Sequence, residues 1–421
     1  MKKSIEEQLK NHPCFNAGAC SDHARIHLPV APKCNVQCGF CNRKYDCVNE
    51  SRPGVTSSVL TPGQAKYYLD QAMDKRYFDV VGIAGPGDPF ANPEETMETL
   101  RLIRENYPKV MLCVATNGVN IGPYIDELAE LEVSHVTLTI NGVDPEVAGN
   151  CYRWIRHNKR VYRGKAAGEV LVREQLAAVK RLVEKGILVK INSVVIPGVN
   201  DFHIPEVAKT VGELGVVTHN CLGLIPVEGT DFEDLEEPDI VQIAALRKEC
   251  EQYVPQMGHC RRCRADAAGL LEEAMSEGTT ALLKDAASKP ANPDEYRPYI
   301  AVATMEGMLI NQHLGHSKTL CIYKENEKTR TWEYLEERIM PPAGGGDERW
   351  ERIAETLKDC SALLTSGIGG KPEQYLNKKG VKVYQIEGMI SSALDGISRG
   401  EDLRHMAIRT GSCSGTGEGC A

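Results

Sequence analysis

Between positions 25 and 254, short apolar, β-branched runs alternate with longer amphipathic stretches, the pattern of strand and helix units around a parallel sheet. Six units are predicted. Strands fall at 25–31, 80–84, 110–115, 135–140, 188–195 and 219–227, and helices at 61–76, 93–106, 124–131, 167–185, 204–214 and 238–253. Three helices open on Thr61-Pro62, Asn92-Pro93 and Glu237-Pro238, where proline suits the first turn. Six units fit a partial (βα)6 barrel with its chemistry at the carboxyl ends of the strands, whereas a closed eight-unit barrel needs more chain before the pattern breaks. The break falls at 276–298, where small, charged and Pro-rich residues carry only one short Ala/Leu patch, and it reads as a linker. A second module, 299–410, has predicted strands near 300–304, 320–323, 332–335, 362–365 and 381–385 and a helix near 348–358, enough for a small α/β domain. The Gly/Ser-rich stretch 411–421 reads as a flexible tail. The fold class is therefore α/β, with two domains.

Charge narrows the roles such a chain can fill. Forty-nine Lys and Arg against 58 Asp and Glu give a formal charge of -9, which leaves no broad cationic face for a phosphate backbone or an anionic membrane. No run of about 18 apolar residues occurs, and the first residues lack an apolar signal core, so a soluble, cytoplasmic protein is expected. In that reducing setting the sixteen cysteines are not a disulfide framework. Twelve of them precede Leu270, several in polar segments beside Gly, Arg, Asn or His, and metal ligation explains them best.

The sharpest signal is Cys34-Asn-Val-Gln-Cys38-Gly-Phe-Cys41, directly after the first predicted strand. A compact loop with that spacing can place three thiolates on three irons of one cubane and leave the fourth iron open. A structural zinc loop is the alternative, but such sites are usually closed by a fourth nearby Cys or His. Cys14, Cys20, His27, Cys47, Cys113, Cys260 and Cys263 remain as further candidate ligands. On the first strand Arg25, His27 and Pro29 share a face, so His27 is expected to point into the barrel. A lone His or Cys on a strand is usually a packed core residue, but seven together weaken that default. Two additional clusters with three protein ligands each would use six of the seven.

The CX3CX2C loop resembles that of the radical S-adenosylmethionine (SAM) superfamily, in which the open iron of a [4Fe-4S] cluster chelates SAM and the reduced cluster cleaves it to a 5'-deoxyadenosyl radical. Ala84-Gly85-Pro86-Gly87-Asp88-Pro89, Thr116-Asn117-Gly118 and Asn192-Ser193 stand at or near the ends of the second, third and fifth strands. The resemblance implies that Gly85, Asp88, Asn117, Asn192 and Ser193 hold SAM. Glycine permits close approach by a ligand there, although GPGDP alone would more often be an ordinary turn.

Within that superfamily, His12-Pro13-Cys14, Ala24-Arg25-Ile26-His27, Ala31-Pro32-Lys33-Cys34-Asn35, the run Cys41 to Cys47, Glu50-Ser51-Arg52-Pro53-Gly54 and the segment GHCRRCRAD at 258–266 resemble the NifB family of nitrogenase cofactor maturases over residues 12–270. These join two [4Fe-4S] clusters into an [8Fe-9S-C] precursor whose carbide comes from a SAM methyl group. The resemblance assigns residues 1–275 to cluster fusion: Cys34, Cys38 and Cys41 to the SAM cluster, His27, Cys47 and Cys113 to one substrate cluster, and Cys14, Cys260 and Cys263 to the other. It places Glu50 and Arg52 at the reaction chamber as proton-moving or charge-steering residues, against the alternative of a surface ion pair. Arg25, Arg43, Arg261, Arg262 and Arg264 are expected to offset anionic cargo, and Cys20 is assigned no role, a spare thiol or a small packing residue. Neutral imidazole from His27 would leave a cluster more readily than thiolate.

The second module resembles the NifX and NafY family of iron-molybdenum-cofactor binding domains, which implies a ribonuclease H-like fold and a carrier or docking role. His313 and His316 are candidate caps for the product, Cys360 a packing residue, and Cys413 and Cys420 depart from the family pattern. The implied partners are an iron-sulfur donor scaffold, a reductant such as ferredoxin or flavodoxin, and downstream carrier or assembly proteins, with no nucleic acid and no membrane. Two competing readings stand beside this one: a cluster scaffold without chemistry, which would not need GPGDP, TNG and NS at strand ends, and another radical SAM enzyme, whose auxiliary clusters would usually lie in an appended domain.

Overall fold

The computed structural model describes residues 4–45, 58–260, 262–271, 273, 277–289, 291–293, 297–326, 329, 331–342, 344, 346–399, 401 and 403–406. The chain forms two compact units, Met1–Lys284 and Asp285–Ala421.

In the first unit the strands are Arg25–His27 (β1), Val80–Ile83 (β2), Met111–Thr116 (β3), Val133–Thr139 (β4), Leu188–Val195 (β5), Thr218–Gly223 (β6) and Ala268–Gly269 (β7). The order is β7-β1-β2-β3-β4-β5-β6; β1 to β6 are parallel in chain order, and β7 closes the β1 edge antiparallel. The sheet curls into a half-barrel. Helices Pro62–Met73 (α1), Pro93–Asn106 (α2), Ile125–Glu130 (α3), Gly164–Glu184 (α4) and Ile204–Glu213 (α5) make the crossovers, and Ile240–Cys250 (α6) follows β6. The strands β2 to β6 are buried along their whole length, as parallel strands are when covered on both faces.

Local chemistry sets the element ends. Thr61 and Gln64 form a reciprocal capping box around Pro62, which starts α1. At α6 the cap is Asp239 with Gln242, so Pro238 precedes the helix that was expected to begin on it. β1 ends at His27, four residues short of expectation, because the chain turns through Pro29 and Val30 N bonds to Leu28 O. Elements that stand where none was predicted include the short helix Pro145–Asn150 and strands Tyr152–His157 and Arg160–Tyr162, with Val36–Cys38 pairing onto the first of these two strands.

A helix, Glu277–Ser288 (α7), occupies much of the segment expected to be a linker. Its Ala/Leu patch buries Leu283 and Ala286, three residues apart on one face. The second unit holds Tyr299–Val302 (β8), Thr319–Asn326 (β9), Thr331–Ile339 (β10), Gly346–Thr356 (α8), Cys360–Thr365 (β11), Gly370–Lys378 (α9), Lys382–Gln385 (β12) and Ile390–Ser398 (α10). The sheet order is β10-β9-β8-β11-β12, with β8, β11 and β12 parallel and β9 antiparallel to both neighbours.

Candidate functional site

The three-cysteine loop follows β1 and is held by hydrogen bonds within itself and to neighbouring segments. Gln37 Nε2 donates to Cys41 O at 2.6 Å, Gly39 N to Cys151 O, and Asn35 Nδ2 to Val119 O at 3.0 Å. Asn92 clamps the entering residue, accepting from Lys33 N at 3.1 Å and donating to Lys33 O at 2.9 Å. The loop after β2 lies against the same segment: Gly87 N donates to Ala31 O and Asp88 N to Lys33 O, and a Cβ on Gly87 would collide with Lys33 O. Glycine is required there by backbone contact. Cys38 and Cys41 are buried and Cys34 half-buried. Burial, and then the Asp88 carboxylate, pushes the Cys34 thiol up to about 12; burial also raises Cys41, with Arg43 opposing. Bound iron reverses that balance by deprotonating its thiol ligands.

The residues expected to hold SAM divide into two kinds. Gly85 takes φ of +128° and accepts from Ala31 N, and Asn192 lines the interior cavity, its Oδ1 accepting from Asn220 Nδ2 at 3.1 Å. By contrast Asp88, Asn117 and Ser193 have polar atoms committed within the protein. The Asp88 carboxylate accepts from Asn117 N at 2.7 Å, Phe90 N at 2.9 Å and Thr116 Oγ1 at 2.9 Å. Burial raises its pKa to about 6 against those bonds. Asn117 Nδ2 donates to Asn35 Oδ1 at 2.6 Å, and its Oδ1 accepts from Val119 N. Ser193, next to Asn192 on β5, faces the opposite side of the sheet and donates to Ile140 O. Asn220 Oδ1 was not anticipated; it is fully buried on the cavity face of β6, with no hydrogen-bond partner among the described residues.

Inside the half-barrel a cavity gathers Cys14, His27, Cys113, Cys260 and Cys263. His27 and Cys113 come together across β2, where a Cβ on Gly82 would lie 2.7 Å from Cys113 Sγ and 2.9 Å from His27 Cδ2. His27 Nδ1 donates to Arg264 O at 2.8 Å, which leaves Nε2 as the ligating nitrogen. Burial, then Arg25, lowers its pKa to about 4, so the imidazole is neutral. The other three thiols are also assembled by tertiary contact. His259 Nε2 donates to Pro13 O at 2.9 Å, joining the neighbours of Cys260 and Cys14, and Arg25 Nε reaches Cys263 Sγ at 3.4 Å.

Several lining residues escaped sequence reasoning. His12 and His135 stack edge to face at 4.2 Å, and their ligating atoms lie within 4.8 Å of one another and of Cys113 Sγ. Burial, then the charges of His12 and Lys190, hold His135 well below the usual imidazole range. His135 and Thr137 on β4, and Lys190 and Asn192 on β5, line the cavity as alternate residues, a period that a strand assignment could have exploited. The lining includes Arg25, Lys190 and Arg262 and no carboxylate among the described residues. Of the other arginines expected to offset cargo, Arg43 donates to Pro32 O and Arg264 pairs with Asp266.

Cys47, Glu50, Arg52, Arg261, Cys413 and Cys420 lie outside the described residues. Cys20 is buried with its thiol directed at Pro13 O and Asn16 O. In the second unit His313 Nδ1 accepts from Gly315 N at 3.0 Å, with His316 5.4 Å away ring to ring, and Cys360 is buried in the core. No helix among the described residues is long and apolar enough to cross a membrane.

A half-barrel of six parallel strands with CX3CX2C after the first defines a radical SAM enzyme, and residues 28–211 match the Radical SAM superfamily. That membership implies SAM and a [4Fe-4S] cluster; three buried or half-buried thiols, the Gly87 contact and the orphaned Asn220 Oδ1 fit such a pair. Residues 297–400 match the family described as Dinitrogenase iron-molybdenum cofactor. The chain is 51% identical to the FeMo cofactor biosynthesis protein NifB of Chlorobaculum tepidum, covering 98% of this chain and 99% of that protein. The same protein of Frankia alni is 38% identical over 93% and 88%, and that of Bradyrhizobium diazoefficiens 39% over 90% and 84%. The chain belongs to the NifB family.

Proposed function

We propose that this enzyme serves FeMo cofactor biosynthesis by fusing two [4Fe-4S] substrate clusters, with insertion of a carbide derived from a SAM methyl group, to give an [8Fe-9S-C] precursor. The observation that carries the reading is the convergence of Cys14, Cys260, Cys263, His27 and Cys113 on one cavity at the heart of a radical SAM half-barrel. Cys14, Cys260 and Cys263 would hold one substrate cluster, and His27 and Cys113, with Cys47, the other. SAM and its [4Fe-4S] cluster, held by Cys34, Cys38 and Cys41, supply a transferable methyl group and one-electron, hydrogen-abstracting chemistry. The protein's own work is to hold and orient. Arg25, Lys190 and Arg262 balance anionic sulfide cargo without a competing carboxylate, and neutral His27 provides a ligand that departs without a charge. Gly85 and Asn192 would contact SAM, while Asp88 and Asn117 position the turn behind it; Glu50 and Arg52 are assigned to proton and charge movement during fusion.

Residues 1–275 carry this chemistry in our reading, and 299–410 bind or hand on the product. The strand order of the second unit, third-second-first-fourth-fifth with the second strand antiparallel to its neighbours, supports a ribonuclease H-like carrier. An iron-sulfur scaffold would load the cavity, a ferredoxin or flavodoxin would reduce it, and downstream assembly proteins would receive the product. Anaerobic reconstitution should give about twelve irons in three cubanes. With dithionite and methyl-labelled SAM, the protein should release S-adenosylhomocysteine and 5'-deoxyadenosine, and the extracted product should carry the label. Four irons with full activity would reject the substrate-cluster assignment, and clusters recovered without label would favour a scaffold.

A further inference from the structure

A second group of metal-binding side chains lies on the opposite face of the sheet from the cavity. His219 and Cys221 are alternate residues of β6, Cys250 ends α6, and all three are fully buried, with ligating atoms within 4.8 Å of one another. Asn220 and Leu222, the intervening positions, face the other way, and Leu222 lines the cavity. We propose that His219, Cys221 and Cys250 form a structural site for a zinc-type divalent cation, distinct from every cluster ligand.

The tautomer of His219 follows from its neighbours. Ser193 Oγ commits its proton to Ile140 O, so at 3.0 Å it accepts from His219 Nε2, and Nδ1 keeps its lone pair, which Gln256 Nε2 meets at 3.4 Å, a contact that a cation would displace. Gln256 supplies a fourth oxygen: the Cys221 thiol reaches Gln256 Oε1 at 3.5 Å. Two thiols and one oriented imidazole are ligands of the type zinc prefers, with the Gln256 carbonyl oxygen beside Cys221. Two adjacent thiols alone would suit a disulfide equally; the imidazole and amide directed at them favour a cation.

The site has an architectural use. His219 N donates to Pro255 O and Met257 N to His219 O, both at 2.8 Å, so the segment from Val254 to Met257 is laced to β6. That segment leads directly into Gly258, His259 and Cys260. A cation at His219, Cys221 and Cys250 would pin β6, the end of α6 and the base of the loop bearing Cys260 and Cys263. This last consequence rests on the proposed function; the site itself does not.

Protein produced in zinc-replete medium and purified anaerobically with its clusters should contain about one zinc per chain besides iron. X-ray absorption at the zinc edge should show two sulfurs at about 2.3 Å and a nitrogen near 2.0–2.1 Å. Cys221→Ala and Cys250→Ala should each lower zinc at least tenfold while leaving iron content unchanged. Should either variant fail to fold, the wild-type spectrum decides alone. Absence of zinc, a shell of three or more sulfurs as displaced cluster cysteines would give, a Cys221–Cys250 disulfide in the anaerobic protein, or undiminished zinc in folded variants would each overturn the site. None of these results bears on whether two clusters are fused, which the labelled-methyl experiment reads separately.

Discussion

Gly82→Ala tests the cavity at its tightest point. On the parallel sheet His27, Gly82 and Cys113 stand in register across β1, β2 and β3. The added methyl carbon would lie 2.7 Å from Cys113 Sγ, 2.9 Å from His27 Cδ2 and 3.3 Å from His27 Nε2, where comfortable carbon contacts are about 3.5–4.0 Å. Neither neighbour yields easily. Cys113 is a short side chain on a central strand, and His27 can swing away only by losing its Nδ1 bond to Arg264 O, worth about 0.5–1.5 kcal/mol. Overpacking of this kind costs about 1–3 kcal/mol. Taken from stability, that is a fall of about 2–5 °C in Tm for a unit of this size; taken from cluster binding, it is roughly 5–150-fold in affinity. Iron counting and Mössbauer spectroscopy on anaerobically reconstituted Gly82→Ala should show about eight irons where the parent has about twelve. Cleavage of SAM should persist, because the Cys34–Cys41 loop is untouched. Gly370→Ala, where a Cβ meets nothing within 4 Å, is the control. A Gly82→Ala protein with the full iron content and an unchanged rate of fusion would refute the placement of a cluster between His27 and Cys113.

Cys38→Ala should abolish 5'-deoxyadenosine formation measured by chromatography, whereas Cys113→Ala should retain it and yield no labelled product. Asn117→Ala removes the 2.6 Å bond to Asn35 and the acceptor for Val119 N, so it should destabilise the cluster loop by about 1–3 kcal/mol and raise the KM for SAM without altering the yield of fused cluster per SAM consumed. Deleting residues 299–421 should leave fusion intact in the anaerobic assay and slow only delivery to apo-nitrogenase. Thr61→Ala, which breaks a capping box remote from the cavity, should cost about 1 kcal/mol in Tm measurements and nothing in turnover.

Much of the barrel was legible because burial enforces pattern. Each of the six parallel strands overlaps a run of apolar residues, and the helices between them carry amphipathic spacing. What escaped was structure too short to show a period, the six-residue helix Pro145–Asn150 and the strands after it, and α7, which buries only Leu283 and Ala286 amid linker-like composition. Asn192 and Ser193 illustrate a signal that was present but unused. Adjacent strand residues face opposite sides, so only one of the two could belong to the cavity, and the structure gives that position to Asn192.

The ligands themselves divide along the same line. Cys34, Cys38 and Cys41 lie within one loop, so spacing alone could suggest that they serve one cubane. Cys14 and Cys260 are separated by most of the first unit and meet through a contact between the residues beside them, His259 and Pro13, that no local pattern encodes. His27 and Cys113 meet because glycine occupies the strand between them, and Gly82 carries meaning only once the register of three parallel strands is known. A radical SAM loop is thus a local object, written in consecutive residues, while the chamber it serves is a property of the closed sheet. Substitutions in the loop should act on one reaction, SAM cleavage; substitutions at Gly82 or at the His259 contact should act on cargo while sparing that reaction. This separation of effects is what the paired measurements of iron content and 5'-deoxyadenosine resolve.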